Sequence, residues 1–374
     1  MQAKPLVIVG LSGGVDSAVA AHLLIEAGYR VEGLYMTNWE ADDAYCTRVD
    51  DEASAVGVAE HLGIVLHRAN FAREYGERVF TDFLAEYRAG RTPNPDVPCN
   101  RYIKFDAFLG WAHRLGADYI ATGHYARIGE AARKPALLAA HDEHKDQTYF
   151  LHAIAGKALA HTLFPLGDMT KPEVRALARN IGLPNHDRRD STGICFIGER
   201  PFRDFLAEYL PEAPGPIEDD AGRVLGEHRG LHFYTLGQRE GLGIGGHRDT
   251  KDAPWYVVDK EFARNTLIVA QDADHPRLLA TGLEADRLHW IADEPPPVPA
   301  EVQVRVRYRQ KPVAATLEAA DDTLRLHFHR PVRAVTPGQY TVVYAGDVCL
   351  GGGRIIARQT LAEEVPSLAK SVAV

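Results

Sequence analysis

The first part of the chain alternates between short β-branched apolar runs and segments whose apolar residues recur at helical spacing. Strands that alternate with helices are typical of a parallel sheet with crossover helices. The predicted strands are residues 5–11, 29–36, 64–70 and 118–121, and the predicted helices are residues 16–27, 51–62, 73–89 and 105–115. The pattern therefore predicts an α/β, Rossmann-like N-terminal domain with a parallel sheet.

Local signals mark two helix ends. Gly28 follows the first predicted helix and is a suitable C-cap. Thr170 and Glu173 have the spacing of a capping box, and Pro172 lies between them, where proline is tolerated in a first turn. A further helix is predicted to start after Thr170 and to run to about residue 181.

The pattern changes after about residue 200. Prolines interrupt residues 211–216, and glycines crowd residues 237–246 around short strand-like runs. From Val302 to Tyr308, and again from Leu324 to Phe328, every second residue is apolar or aromatic, which predicts half-buried strands. We therefore expect a small β-rich central domain and a C-terminal β-barrel. The predicted domains are residues 1–205, 206–280 and 281–374.

Composition narrows the class of protein. The chain has 374 residues, 45% of them hydrophobic and 25% charged, which is typical of a globular protein and not of a disordered one. It lacks an apolar run long enough for a membrane span, and residues 6–11 are too short an apolar run for a signal peptide. A cytoplasmic protein is expected. The formal charge of -9 argues against a uniformly basic nucleic-acid binder.

The four cysteines form no C-x-x-C pair, so they predict neither a secreted disulfide framework nor a zinc ribbon. Cys46 and Cys349 are expected to be buried small apolar residues. Cys99 and Cys195 differ, because both lie in polar segments rich in proline or glycine, where loops present side chains to a surface or cleft. A zinc site built from these two with a histidine is an alternative that no ligand spacing supports.

Arginines accompany both of the unusual cysteines. Arg101 follows Cys99, and Arg188 and Arg189 precede Cys195. Positive charge favours the thiolate form of cysteine, which is the nucleophilic form. We therefore predict that Cys99 and Cys195 are reactive thiols.

Residues 12–17, with the sequence SGGVDS, lie between the first predicted strand and the first predicted helix. Glycines let a polyphosphate approach the backbone closely, and the N–H groups of a helix N-terminus bind it. The segment lacks both the lysine of the Walker pattern and the G-x-G-x-x-G fingerprint. It resembles the pyrophosphatase-type loop of ATP enzymes that cleave between the α- and β-phosphates. The alternative is a plain tight turn. Asp16 either helps to hold magnesium or favours the helix N-terminus as a first-turn carboxylate.

Further motifs extend along nearly the whole chain. In order, they are the loop at 12–17, NPD at 94–96, ATGHY at 121–125, KDQ at 145–147, GICF at 193–196, YTLGQR at 234–239, RYRQ at 307–310 and PGQ at 337–339. Together they resemble the bacterial tRNA-specific 2-thiouridylase family. The resemblance implies an adenine nucleotide alpha hydrolase-like N-terminal domain and tRNA-uridine 2-sulfurtransferase activity.

The resemblance also implies a reaction. ATP adenylates the C2 oxygen of the wobble uridine of a tRNA, pyrophosphate is released, and sulfur then displaces AMP. Cys195 carries the sulfur as a persulfide, and Cys99 attacks or resolves it, which leaves a Cys99–Cys195 disulfide for an external reductant to reopen. Asp96 would act as acid or base on N3 of the uracil ring, with a role as a turn former the alternative.

Binding residues and partners follow from the same resemblance. The implied ATP contacts are Gly10, Leu11, Ser12, Gly13, Gly14, Val15, Asp16, Ser17, Met36 and Gly123. The implied tRNA contacts are Asn94, Pro95, Asp96, His124, Lys145, Asp146, Gln147, Arg307, Tyr308 and Gln339. Without the resemblance, Met36 would be expected in the core, and His124 would be a phosphate ligand or a loop histidine. The expected cofactors are ATP and Mg²⁺, with no tightly bound metal held by protein ligands.

The expected partners are tRNA and either a cysteine desulfurase or a small sulfur-relay protein. The protein is expected to be a monomer. The wobble base must leave its stack to reach a buried site, so a flipped nucleotide is expected. Residues 301–333 hold seven Lys and Arg against four Asp and Glu. Arg305, Arg307 and Arg309 are predicted to share one strand face as a phosphate track beside Tyr308. The alternative is a solvated sheet face.

Two other functions fit parts of the sequence. An amidotransferase-type synthetase uses the same ATP loop, with ammonia or an amine attacking the adenylate, but it needs no paired thiols. A non-catalytic adenine-nucleotide sensor or RNA-binding module would use the loop for regulation and leave the cysteines inert. ATP turnover that depends on tRNA would distinguish the enzyme from the sensor.

Overall fold

The computed structural model describes residues 4–40, 48–131, 133–189, 202–244, 253–320 and 322–364. The strands in these residues are β1 Leu6–Gly10, β2 Arg30–Thr37, β3 Leu66–Asn70, β4 Tyr119–Ala121, β5 Arg127–Ala131, β6 Lys134–Leu138, β7 Thr162–Leu163, β8 Gly215–Asp219, β9 Val224–His228, β10 Tyr256–Glu261, β11 Thr266–Ala270, β12 Leu279–Trp290, β13 Ala300–Arg305, β14 Val313–Ala320, β15 Leu324–Arg333, β16 Tyr340–Ala345 and β17 Val348–Thr360. The α-helices are α1 Val15–Glu26, α2 Arg48–Leu62, α3 Ala72–Tyr75, α4 Thr81–Arg88, α5 Asp96–Cys99, α6 Phe108–Arg114, α7 Thr148–Leu151, α8 Gly156–Leu159, α9 Lys171–Asn180, α10 Phe202–Ala207 and α11 Leu361–Glu364.

The N-terminal domain contains a parallel sheet in the order β3-β2-β1-β4-β7. Its central strand β1 is buried on both faces, with Leu6 and Ile8 in one hydrophobic core and Val7 and Val9 in the other. Alternate side chains of a strand point to opposite faces, so a continuous apolar run indicates a sheet covered on both sides. The predicted Rossmann-like parallel-sheet domain is confirmed.

Helices cover both faces of this sheet. On one face pack α1, α2 and α9, and on the other face pack the helical residues from α3 to α6. The predicted capping box is present, because Thr170 accepts a hydrogen bond from the backbone of Glu173 and the Glu173 carboxylate accepts one from the backbone of Thr170. Gly28 has φ +87° directly after the C-cap of α1, a conformation that favours glycine. Of the helices in the described residues, none has the length and apolar character needed to cross a membrane.

Two predicted helices differ from the observed ones. A π-helical segment, Gly76–Phe80, joins α3 to α4, so this helical stretch matches the prediction apart from one widened turn. A second π-helical segment, Asn100–Ala107, joins α5 to α6, and the helix therefore begins at Asp96 and not at residue 105 as predicted. Pro98 obscured this start in the sequence, although proline is tolerated in the first turn of a helix.

The central domain holds a four-stranded sheet in the order β10-β11-β8-β9, in which β8 and β11 run parallel. The C-terminal domain is a closed barrel in the order β12-β15-β14-β13-β16-β17, because β17 also pairs with β12. Strand β15 alternates buried and exposed residues over its first half, as the sequence predicts. Both predicted β domains are confirmed. An unpredicted feature is the hairpin β5–β6 of the N-terminal domain, which pairs with β17 and so extends the barrel sheet.

Candidate active site

The loop between β1 and α1 has the geometry of a phosphate site. Gly13 has φ +77°, a left-handed conformation, and Gly14 is the N-cap of α1 without a side-chain cap among the described residues. The carbonyl oxygen of Gly13 accepts hydrogen bonds from Ser54 Oγ at 2.7 Å, Asn185 Nδ2 at 2.9 Å and Arg188 Nη1 at 3.3 Å. Because the peptide is planar and trans, these bonds also fix the direction of the Gly14 N–H group, which points away from the Gly13 carbonyl oxygen.

Two hydroxyl groups complete this loop. Ser12 Oγ and Ser17 Oγ lie 3.4 Å apart, and Ser17 donates to the carbonyl oxygen of Gly14 at 3.0 Å. Met36, at the end of β2, lies beside Gly10, where a Cβ atom would be 3.2 Å from Met36 Cε. An uncapped helix N-terminus, a left-handed glycine and two hydroxyl groups at the carboxyl ends of parallel strands suit a nucleotide phosphate. These residues therefore fit ATP.

Gly123 must be glycine for this loop to form. A Cβ atom there would lie 2.6 Å from Ser17 N and 2.7 Å from Asp16 C, and both are backbone atoms of α1. We expect Gly123→Ala to lower the free energy of unfolding by about 1–3 kcal/mol through overpacking. It should also weaken ATP binding, because α1 must shift. Calorimetric titration with ATP and a thermal unfolding curve measure the two effects.

The matched control for this prediction is Gly110→Ala in α6, where a Cβ atom would meet no heavy atom within 4 Å. That change should leave ATP binding unchanged and alter stability by less than about 1 kcal/mol, toward greater helix stability. Equal ATP affinity in the Gly123→Ala protein and the wild type would contradict the assignment of Gly123 to the nucleotide site.

Asp16 is engaged within the protein. Its carboxylate accepts hydrogen bonds from Lys171 Nζ at 2.6 and 2.8 Å and from Tyr125 Oη at 3.0 Å. A metal ion bound to Asp16 would have to compete with the Lys171 ammonium, so this carboxylate does not fit a magnesium ligand. The described residues also contain no group of three or more His, Cys, Asp or Glu side chains that could hold a metal. The geometry supports the alternative, in which Asp16 stabilises the first turn of α1.

The motif at residues 94–96 starts the helix that carries Cys99. The side chain of Asn94 accepts a hydrogen bond from the backbone of Asp96 at 3.1 Å, an Asx turn, and Pro95 is the N-cap. Burial raises the pKa of Asp96, while the charge of Lys104 lowers it. A half-buried carboxyl group with a raised pKa is a better base than an ordinary carboxylate.

Cys99 is not in a loop, as the sequence predicted, but in the first helical turn, and only 2% of it is exposed. It packs in a core cluster that includes Ile103, four residues further along, because residues three to four apart share a helix face. Burial of Cys349 is confirmed, at 1% exposure, and this burial raises the pKa of its thiol. Cys46 and Cys195 lie outside the described residues.

Arg188, which the sequence analysis placed before Cys195, lies at the nucleotide loop in the structure. Besides its bond to Gly13, it forms an ion pair with Asp51 of α2. Its charge is therefore paired, and its guanidinium braces the nucleotide loop. The sequence could not show this, because Asp51 lies far away along the chain.

A lysine that the sequence analysis did not single out lies between the candidate residues. Lys104 Nζ is 3.4 Å from His124 Nε2, and the charge of Lys104 also acts on Asp96. Burial, with a smaller effect from Lys104, holds the pKa of His124 well below its ordinary value. His124 is therefore neutral, with Nε2 accepting from the ammonium and Nδ1 donating to Thr122 Oγ1 at 2.7 Å. No local pattern in the sequence indicates this proximity, because Lys104 and His124 lie on different elements and meet only in the folded chain.

The segment at residues 145–147 joins the nucleotide domain to the barrel. Asp146 is 2% exposed, and its carboxylate binds Arg305 and Thr148. Gln147 exchanges two hydrogen bonds of 2.9 Å with the backbone of Tyr125, next to His124. Asp146 is thus a buried anchor in the structure and not an exposed contact, while Lys145 and Gln147 are half-buried at the surface.

The predicted arginine track on one strand face is wrong. Strand β13 ends at Arg305, which is buried, and Arg307 bonds to Leu236 O at 2.9 Å and Thr336 Oγ1 at 2.7 Å. Arg309 is exposed and has φ +62°, so it belongs to a turn. The strand ends at Arg305 because a turn follows it. A period-two pattern does not reveal such turn positions.

The remaining barrel residues lie close to the other candidates. Tyr308 packs against Phe150, with ring centroids 4.4 Å apart, and Gln339 donates to Thr92 O at 2.8 Å. Thr92 begins the loop that leads to Asp96. The barrel therefore brings Tyr308 and Gln339 to the same region as residues 94–96 and 145–147.

A model of the tRNA methyl transferase HUP domain matches residues 5–199, a tRNA methyl transferase PRC-barrel domain matches residues 203–271, and an aminomethyltransferase beta-barrel domain matches residues 280–355. The tRNA-specific 2-thiouridylase MnmA of Alkalilimnicola ehrlichii is 58% identical over 356 residues, which cover 94% of this chain and 97% of that protein. This chain belongs to the tRNA-specific 2-thiouridylase family.

The predicted family is thereby confirmed. Other members are similarly close: the 2-thiouridylase MnmA of Alcanivorax borkumensis is 56% identical over 352 residues, covering 93% of this chain and 96% of that protein. The protein of the same name from Stutzerimonas stutzeri is 56% identical over 354 residues, covering 94% of each chain. The similarity to these 2-thiouridylases thus spans all three domains.

Proposed function

We propose that this protein is a tRNA-uridine 2-sulfurtransferase that thiolates the wobble uridine of tRNA through an adenylated intermediate. One observation carries the proposal: a continuous set of contacts leads from the nucleotide loop to Cys99. Gly123 packs on the first turn of α1, His124 follows it, Lys104 bonds to His124, and the helix of Lys104 begins at Asp96 and holds Cys99. ATP, a target base and a thiol can therefore meet in one place.

Adenylation requires the C2 oxygen of the uracil ring to attack the α-phosphate of ATP and pyrophosphate to leave. The oxygen becomes a stronger nucleophile when N3 of the ring loses its proton. Asp96 is the group proposed to accept that proton, because burial has raised its pKa toward the working pH. Neutral His124 holds the Lys104 ammonium in place, and the ammonium stabilises the carboxylate and the charge that develops on the ring. Magnesium would accompany ATP as a counter-ion of its phosphates, and no protein ligand is assigned to it.

Sulfur transfer then replaces AMP at C2. We place the incoming sulfur on Cys195 as a persulfide. In one order, the outer sulfur attacks C2, AMP leaves, and the Cys99 thiolate attacks the Cys195 sulfur to release the thiocarbonyl. In the other order, Cys99 first frees hydrosulfide, which displaces AMP. Both orders leave a Cys99–Cys195 disulfide, and an external dithiol must supply two electrons to restore the thiols.

The proposed partners follow from this chemistry. The substrate is a tRNA whose wobble base is flipped into the site, bound near Asn94, Pro95, Lys145, Gln147 and Tyr308. A cysteine desulfurase or a small sulfur-relay protein supplies the persulfide. We propose that the enzyme acts as a monomer in the cytoplasm.

Lys104→Met is expected to shift the pH dependence of the reaction. The Lys104 charge lowers the pKa of Asp96, so its removal raises that pKa further. A base works only when ionised, and the rising limb of the rate against pH should therefore move to higher pH, with a slower rate at neutral pH. Single-turnover thiolation rates measured across the pH range provide the test.

Lys104→Arg retains the positive charge and is the control for this prediction. It should keep the limb near its wild-type position. An unshifted limb in Lys104→Met, at a wild-type rate, would show that Lys104 does not act on the proton acceptor.

The experiment that tests the proposed function combines the purified protein, ATP, an unmodified tRNA and a persulfide donor, followed by nuclease digestion and mass spectrometry. We expect 2-thiouridine only when ATP and tRNA are both present. Transfer of nitrogen in place of sulfur would support the amidotransferase-type alternative, and ATP binding without turnover in the presence of tRNA would support the sensor. The paired cysteines favour the sulfurtransferase over both.

A further inference from the structure

A cleft lies beside the helix that carries Cys99, against the face that holds Val97, Arg101 and Tyr102. It has a volume of about 560 Å³ and separates this helix from the barrel. This volume is within the range of sites for small molecules and nucleotides, about 300–1,000 Å³. The side chains that line it and matter here are Arg78, Arg101, Tyr102, His152, Arg287 and Tyr340.

The charge of this cleft is positive and centred on Arg101. Arg78 is paired with Asp106 at 2.7 Å, and Arg287 is paired with Asp82 at 2.6 Å. Arg101 pairs with no carboxylate in the parts of the chain that the structure describes. Its guanidinium carbon lies 5.2 Å from the centre of the Tyr102 ring, a contact that orients the group without neutralising it.

Two histidines beside Arg101 add no positive charge. Burial is the main cause that lowers the pKa of His152 to about 3, and it also lowers the pKa of His289, with Arg101 contributing to both shifts. His152 Nδ1 and His289 Nε2 each bond to a backbone carbonyl, at 2.7 and 2.9 Å. Arg101 is therefore a half-buried cation, in a cleft large enough for a ligand, whose neighbours do not satisfy its charge.

The position of the cleft indicates the source of the anion. Val97, on one wall, directly follows Asp96, and Tyr340, on the other wall, directly follows Gln339. The cleft is therefore lined by the immediate chain neighbours of two residues that we assign to the tRNA site. A chain that enters the site at Asp96 must bring its neighbouring phosphate within a nucleotide's length of this point.

We propose that Arg101 binds a backbone phosphate of the tRNA next to the target uridine, with the cleft accommodating the flanking nucleotide. This inference rests on the proposed function and adds a binding site to it. An arginine fork suits a phosphate better than an ammonium does, and Tyr102 and Tyr340 provide the aromatic walls that single-stranded RNA sites commonly use. Such a contact positions the target base but does not read its identity.

The test uses Arg101→Gln in the full-length protein. We expect the Kd for unmodified tRNA to rise about 10- to 100-fold, as for loss of a hydrogen bond to a charged group. The slope of log Kd against log salt should fall by about 1, because one phosphate contact is lost. KM for tRNA should rise, while the Kd for ATP should stay unchanged. Arg101→Lys retains the charge and should keep most of the salt slope.

Arg30→Gln is the matched control. Arg30 is 61% exposed at the start of β2, so it lies at the amino ends of the parallel strands, away from the nucleotide loop at their carboxyl ends. It should keep wild-type affinity and salt slope. An unchanged slope in Arg101→Gln, with tRNA still bound and thiolated, would overturn the phosphate site alone. A lowered rate with a protein sulfur donor but not with a small persulfide would instead assign the cleft to that protein. Absence of tRNA binding by the wild type would refute the proposed function itself.

Discussion

Cys99→Ser is expected to reduce sulfur transfer to tRNA by more than about a thousandfold, because a serine hydroxyl can neither release the persulfide sulfur nor resolve a mixed disulfide. Adenylation does not use the thiol. We therefore expect the variant to release pyrophosphate from ATP when tRNA is added, while 2-thiouridine does not accumulate. Single-turnover assays of pyrophosphate and of 2-thiouridine, made on the same samples, separate the two steps.

Cys349→Ala is the matched control for the thiol. Cys349 is as buried as Cys99, but it lies in barrel strand β17, and burial raises the pKa of its thiol. It should leave the thiolation rate unchanged apart from a modest loss of stability. Thiolation by Cys99→Ser at the Cys349→Ala rate would remove Cys99 from the mechanism.

Arg305→Met is expected to have the largest effect on stability, lowering the free energy of unfolding by about 3–5 kcal/mol. Asp146 is 2% exposed and Arg305 is 9% exposed, so the substitution leaves a buried carboxylate without its cation. The pair also links the 145–147 segment to the end of β13, and weaker tRNA binding should accompany the loss. Urea unfolding followed by circular dichroism measures the change in free energy.

The comparison variant is Arg325→Met. Arg325 is 58% exposed and lies 3.8 Å from Glu284, and an exposed pair of this kind contributes only about 0–1 kcal/mol. The double variant Asp146→Asn with Arg305→Met should recover part of the loss, because the unpaired charge is removed. Equal effects of Arg305→Met and Arg325→Met would show that the buried pair does not anchor the segment.

Much of the architecture could be predicted from local patterns. Strand β1 is a continuous apolar run, the capping box at Thr170 is complete within four residues, and the alternation in β15 requires only a period of two. These signals are short-range and reflect burial or backbone hydrogen bonding. They do not depend on which distant element is the neighbour.

The features that were not predicted are long-range ones. The hairpin β5–β6 joins a barrel strand that lies far along the chain, and Asp146 meets Arg305 across two domains. No local pattern distinguishes an arginine that faces solvent from one that is paired inside the protein. The helix at Asp96 was missed for a different reason, since Pro98 in a first turn resembles a loop signal.

The residues of the candidate site also divide into those with a local sequence signal and those that depend on long-range contacts. The nucleotide loop could be recognised from six consecutive residues, because glycines flanked by hydroxyl groups at a strand-to-helix junction are typical of a phosphate site. Lys104 could not, because its importance depends on its distance from His124 in the folded chain. The resemblance to a known family supplied the roles of the cysteines, which spacing alone left open.

The most direct test of the central claim is the fate of the uridine C2 oxygen. A tRNA whose wobble uridine carries the heavy isotope of oxygen at C2 would be thiolated in a single turnover, and the AMP released would be examined by mass spectrometry. If ATP adenylates this oxygen before sulfur enters, the heavy isotope must appear in the phosphate of AMP in proportion to the 2-thiouridine formed. Unlabelled AMP, with thiolation proceeding at the normal rate, would contradict the adenylated intermediate.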